Sequence, residues 1–210
     1  MTTNTNTKPK LYVDFDTTMV NSPKILTICY EKLTGIKPLT YNPLDWNIAM
    51  AYPNYDKDII HTIFDISLFF EYAKDNIFEG CKETLEELSN YYDITVVSCG
   101  TDANLTLKEQ FLKEEFPYVS FAGLSQISKT FDKSSICQDG ILIDDRLDCL
   151  LSTRNCKNVL FRYNNNAYIW QEGYADYVSD GTIDFVATSW TDEVFINYLL
   201  TLVEKRNGES

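Results

Sequence analysis

Leu11-Tyr12-Val13-Asp14-Phe15-Asp16-Thr17-Thr18 is a short apolar run that carries straight into two aspartates two residues apart and a threonine pair. On a β-strand, residues i and i+2 point to the same side. A strand ending near Asp14 therefore lets both carboxylates emerge at its C-terminal tip and converge on one ligand. Paired carboxylates at a strand tip suit a hard cation and phosphoryl chemistry.

Working outward, the same design recurs. Asp93-Ile94-Thr95-Val96-Val97 reads as a buried strand that ends at Ser98-Cys99-Gly100-Thr101. Gly140-Ile141-Leu142-Ile143 reads as another, stopping abruptly at Asp144-Asp145. Weaker strand patterns lie at Tyr118 to Ala122, Val159 to Phe161 and Ile183 to Ala187. Helical spacing links Ile25, Leu26, Cys29 and Leu33, with Ser22-Pro23 as the expected cap and first turn and Gly35 as the stop. It recurs at Cys81, Leu85, Leu88 and Tyr92, at Leu107, Phe111 and Leu112, at Leu147 to Leu151, and at Val194, Phe195, Tyr198, Leu199 and Leu202. Strands alternating with helices predict an α/β fold, a doubly wound parallel sheet with helices on both faces. In such sheets ligands sit beyond the carboxyl ends of the strands, where the acidic and hydroxyl residues fall.

One stretch breaks the alternation. Prolines at 38, 43 and 53 interrupt residues 36 to 76, and aromatics crowd the same span. Short helices are expected near Asp58 to Phe64 and Ile66 to Ala73. We read residues 21–76 as a small helical cap inserted after the first strand, 1–9 as a flexible polar tail, and 10–20 with 77–210 as the core.

Composition narrows the function. The chain of 210 residues carries a net charge of -13, which argues against a nucleic-acid surface, since that needs a basic footprint. Small anionic substrates stay open, because a cation or a few donors neutralise them locally. The six cysteines show no C-x-x-C and no zinc-like spacing, so reduced thiols are expected. No stretch resembles a signal peptide or an apolar span of membrane length, which predicts a cytoplasmic protein with no membrane partner.

In chain order the polar groups read D-x-D-x-T, a strand-end serine, a lysine, then I-L-I-D-D. This set resembles the four motifs of the haloacid dehalogenase (HAD) superfamily of aspartate-nucleophile phosphatases. The stretches FEGCKETLEELSNYYDITVVS (78–98), FDKSSICQDGILIDDRLD (131–148) and NVLFRYNNN (158–166) are similar to those of the 5'(3')-deoxyribonucleotidases. The resemblance spans roughly residues 10 to 165, with an echo at Ser189-Trp190. It implies a HAD-like core with a small cap, and Asp14 as nucleophile with Asp16 as general acid and base. Mg²⁺ is implied as cofactor, held by Asp14, the backbone carbonyl of Asp16, and Asp144, with Asp145 and Thr18 in support. Phosphate binding is implied for Ser98, Cys99, Gly100 and Lys133, with Lys129 the alternative lysine. The implied substrate is a deoxyribonucleoside monophosphate, and a homodimer is compatible. Two departures stand out: Thr17 occupies a place usually held by a small residue, and Cys-Gly-Thr follows Ser98 where a small-residue-proline turn is commoner.

Trp46 and Phe70 are candidates for a base-stacking wall, while His61, the single histidine, is read as structural. Other functions compatible with these residues are a HAD phosphatase acting on a non-nucleotide phosphomonoester and a phospho-acceptor or binding module without turnover. Chain order argues against a response-regulator-type acceptor, in which the acidic pair comes first and the lysine last.

Overall fold

The strand-forming runs become six parallel strands in a computed structural model, which describes residues 7–125 and 131–208, with side chains through residue 204. They are β1 (Lys10–Val13), β2 (Asp93–Gly100), β3 (Ser120–Ser125), β4 (Gly140–Asp144), β5 (Cys156–Phe161) and β6 (Phe185–Ala187). Their order across the sheet is β3-β2-β1-β4-β5-β6. The chain runs outward from β1 to β3, then crosses back to β4 on the other side of β1. That reversal leaves a crevice beyond the carboxyl ends of the central strands.

Period-two alternation divides the buried residues between the sheet's two faces. Leu11, Val13, Ile141, Ile143, Val159 and Phe161 join one core cluster. Tyr12, Leu142 and Leu160, their neighbours in sequence, join the other. Parallel strands buried on both faces are held chiefly by this apolar packing.

The helices are α1 (Ser22–Thr34), α2 (Lys57–Ile63), α3 (Ser67–Ala73), α4 (Cys81–Leu88), α5 (Asp102–Glu115), α6 (Leu147–Ser152), α7 (Tyr174–Ser179) and α8 (Glu193–Gly208). Gly35 ends α1 in the left-handed conformation, φ 73°, as a glycine stop should. The cap of α1 is Asn21 rather than the expected Ser22, because the Asn21 side chain accepts from the Lys24 N–H. Ser22 thus enters the helix with its hydroxyl free for another partner. The span from Tyr163 to Asp180 contains two short 3₁₀ turns and α7.

Residues 21–76, between β1 and α4, carry α1, α2 and α3. The two stems of this insertion are tied together by Asn21 N–H to Asn76 O and Phe78 N–H to Met19 O, both 2.9 Å. Helix α1 packs on α2 and α3, and α3 also packs on α5 of the core. All six cysteines are free thiols. Among the described residues no helix is long and apolar enough to cross a membrane.

Candidate active site

Three strand tips deliver the candidate residues. Strand β1 ends at Val13, and the Asp14 N–H donates to Ile143 O at 2.9 Å, carrying the β1–β4 pairing one residue further. Asp144 is the last residue of β4 and Asp145 follows it. Neighbouring parallel strands in register thus set Asp14 beside Asp144. The carboxylates of Asp14, Asp144 and Asp145 each place an oxygen within 4.8 Å of the others, and all three residues are buried.

Lys133 lies against this cluster, 1% exposed. Its Nζ donates to Asp14 Oδ1, and to Asp144 Oδ2 at 2.7 Å. Burial works against the ammonium, but the charges of Asp14 and Asp144 outweigh it and raise the Lys133 pKa well above the usual lysine value. Burial pushes the Asp14 carboxyl up to about 7; Lys133 opposes this, while Asp144 and Asp16 add to it. Burial likewise holds Asp145 well above the usual carboxylate range, helped by Asp14 and Asp144. Lys129, the alternative lysine, lies outside the described residues.

A second set adjoins the first. Asp16 accepts from Ser22 Oγ at 2.8 Å on Oδ1 and from Lys108 Nζ on Oδ2. Lys108 Nζ also donates to Ser98 Oγ at 2.8 Å. Strand β2 runs past Ser98 to Gly100, pairing Cys99 and Gly100 with Leu124 and Ser125, so these residues belong to the strand rather than to a loop. Helix α5 follows at once, its cap Thr101 accepting from the Asn104 N–H at 3.1 Å. Thr17 adopts a left-handed backbone, φ 56°, an unfavourable conformation for a β-branched residue. The buried hydroxyls of Thr17 and Thr18 have no partner among the described residues, and Thr18 O accepts from Trp190 Nε1 at 2.8 Å.

Both sets open into a cavity of about 800 Å³ between the strand tips and the insertion. Asp14, Asp16, Ser98, Cys99, Gly100, Lys108 and Lys133 line it from the sheet side, and Trp46, Tyr55, Lys57, His61 and Phe64 from the insertion. Trp46 packs on Phe64 and on Trp170, with ring centroids 6.1 and 5.2 Å apart. Phe70 is elsewhere: it is buried against Phe15, Phe69 and Phe111 and is not part of the cavity wall. His61, read as structural, is exposed and lines the cavity.

Sequence reasoning missed three contributors. Lys108 had a signal: it shares the buried face of α5 with Asn104, Phe111 and Leu112, a lysine at core spacing. Trp170 and Gln171 had none. Trp170 Nε1 donates to Asp145 Oδ2 at 2.6 Å, and Gln171 Nε2 donates to the Asp145 carbonyl at 2.8 Å. Gln171 is itself held by Arg162 Nε, which donates to its Oε1 at 3.2 Å.

The donors in the acidic cluster are all oxygens, which suits a hard divalent cation. Asp145 Oδ1 is buried without a hydrogen-bond partner among the described residues, an arrangement that a cation would relieve. The residues present therefore fit Mg²⁺.

No family model matches the chain, and no curated protein matches it. Solved structures do. A haloacid dehalogenase-like hydrolase from Streptococcus pneumoniae superposes with a TM-score of 0.54 at 16% identity, over 91% of this chain and 98% of that one. The HAD-hydrolase YfnB from Bacillus subtilis, bound to magnesium, gives 0.56 at 11% identity over 92% and 99%. CbbY from Rhodobacter sphaeroides, in complex with xylulose-(1,5)-bisphosphate, gives 0.52 at 11% identity over 88% and 96%. At these identities the likeness establishes the fold: the chain has the HAD-like α/β fold.

Proposed function

We propose that this protein is a Mg²⁺-dependent phosphomonoesterase acting on nucleoside monophosphates, with deoxyribonucleotides favoured. The observation that carries the reading is the cavity beyond the tips of β1, β2 and β4, lined by Asp14, Asp16, Ser98 and the buried Lys108 and Lys133, with Asp144 and Asp145 clustered against Asp14. Asp14 attacks phosphorus, the bond to the leaving alkoxide breaks, and a phosphoaspartyl intermediate forms. Asp16 gives its proton to the departing oxygen, then takes one from the water that attacks phosphorus, so that phosphate leaves and Asp14 is restored. Ser22 and Lys108, one on each carboxylate oxygen, hold Asp16 for this exchange. Ser98 and Lys133 bind the phosphoryl oxygens, with further donors from the backbone near Cys99 and Gly100.

Asp14, Asp144 and the Asp16 carbonyl would hold Mg²⁺, with Asp145 and Thr18 in support; when bound, the ion offsets carboxylate charge that would otherwise repel a phosphate dianion. The nucleotide assignment draws on the cavity's size and its aromatic wall, where Trp46 is the candidate for stacking on a base.

A substrate panel tests this. Phosphate release from deoxyribonucleoside 5'-monophosphates should require Mg²⁺ and vanish in Asp14→Asn. Activity without the metal, or full activity in the variant, overturns the mechanism. Turnover of sugar phosphates alone overturns the substrate assignment and leaves the mechanism standing.

A further inference from the structure

Lys133 is committed between Asp14 and Asp144, and the cation that reaches Ser98 is Lys108. That lysine is 1% exposed in the body of α5, at a place where helical spacing calls for an apolar side chain. Burying an ammonium is unfavourable unless charge and hydrogen bonds compensate it. Two of its three donors are used among the described residues, one on Asp16 and one on Ser98 Oγ. Its Nζ also lies 5.3 Å from the centre of the Phe15 ring, and Lys108 lines the cavity itself. A side chain that served only to fix Asp16 would not need to reach the hydroxyl proposed to bind phosphate.

We propose that Lys108 is a second phosphoryl-binding cation, sharing with Ser98 an oxygen of the transferring group. This rests on the phosphatase reading above. Two ammonium groups then bracket the phosphoryl from opposite sides, Lys133 from the β1–β4 tips and Lys108 from α5. As compact point charges on flexible stems, they meet charge that develops on the equatorial oxygens in the transition state.

The test uses the full chain with Mg²⁺ and inorganic phosphate as the probe, followed by calorimetry, for wild type, Lys108→Met and Lys108→Gln. Lys108 is outside the acidic cluster, so Mg²⁺ titrated alone should bind both variants at least as well as wild type. This shows that the site is folded, and the glutamine variant stands in if methionine disturbs α5. Loss of one charge-assisted hydrogen bond should weaken phosphate roughly tenfold to a hundredfold. A rise in KM for the nucleotide should accompany it. Unchanged phosphate affinity with a reduced kcat would mean that Lys108 acts only through Asp16, and overturns the proposal. If wild type itself binds no phosphate in Mg²⁺, the phosphatase reading fails first and the inference falls with it.

Discussion

Trp170 Nε1 donates to Asp145 Oδ2 across 2.6 Å, so an irregular segment far along the chain sets the direction of a carboxylate in the acidic cluster. The same indole stacks on Tyr168 and packs against Trp46 of the insertion, with centroids 4.7 and 5.2 Å away. Orientation of Asp145 is thereby linked to how the insertion sits. Trp170→Phe should keep the ring contacts and remove the donor. Loss of a group that orients a metal-site carboxylate typically weakens metal binding roughly tenfold to a hundredfold. Direct Mg²⁺ titration of the variant checks this, and unaltered affinity would reduce Trp170 to a packing residue.

Asp145 trades stability for charge. Burial raises its pKa well above the usual value of 3.8, and raises that of Asp14 to about 7. The folded protein therefore keeps protons that the unfolded chain has already lost. Stability from this source is complete below the unfolded value and drains away as pH rises, through about 7 in the case of Asp14. Metal-free Asp145→Asn should be more stable than wild type at neutral pH by about 0.5–2 kcal/mol. Its melting temperature should also fall less steeply between about pH 4 and 7. Added Mg²⁺ should raise the melting temperature of wild type more than that of the variant. Thermal melts in a chelator and in Mg²⁺ decide it, and a variant that melts lower at every pH refutes it.

Strain beside Asp16 is the next target. Thr17 holds φ 56° and buries a hydroxyl with no partner among the described residues. Thr17→Gly relieves both, against the greater chain entropy of glycine and some lost packing. The balance should favour the variant by up to about 1 kcal/mol, read from the urea midpoint. A comparable loss of stability would show that packing of the threonine methyl outweighs the strain.

Beside the cavity the insertion is latched to the start of α5 by two hydrogen bonds: Asn104 Nδ2 donates to Phe64 O at 2.7 Å, and Thr101 Oγ1 to Asp65 Oδ1 at 2.5 Å. Asn104→Ala leaves the Phe64 carbonyl without this donor and should cost about 1 kcal/mol. Because Phe64 and Asp65 line the cavity, nucleotide KM should rise more than kcat falls. Limited proteolysis should also cut the insertion sooner than in wild type. Equal KM with faster cleavage would separate the latch from substrate binding.

Much of this architecture is legible in the chain. Apolar runs that stop at Asp14, Ser98 and Asp144 mark three strands and their exits. Strand alternation is a local property, and in a parallel sheet whose central strands are in register it also fixes which ends meet. Helices are less informative about their surroundings. Spacing places Lys108 on the buried face of α5 but does not say that the face meets Asp16. Phe70 looks like a cavity aromatic in the sequence, yet α3 turns it into the core against Phe15 and Phe111. Ser22 is a plausible cap by composition, but the neighbouring Asn21 takes that place and frees the serine hydroxyl for Asp16.

The sequence by itself determined the parallel α/β sheet and the set of polar residues at its strand tips, because both follow from short-range periodicity and chain order. Only the tertiary structure decided the partners: Lys108 on Asp16 and Ser98, Trp170 on Asp145, Trp46 in the cavity and Phe70 outside it. Those contacts join segments distant in the chain, 25 residues apart for Asp145 and Trp170 and 92 for Lys108 and Asp16. Their geometry depends on how the insertion and the loops pack over the sheet, which no local pattern encodes.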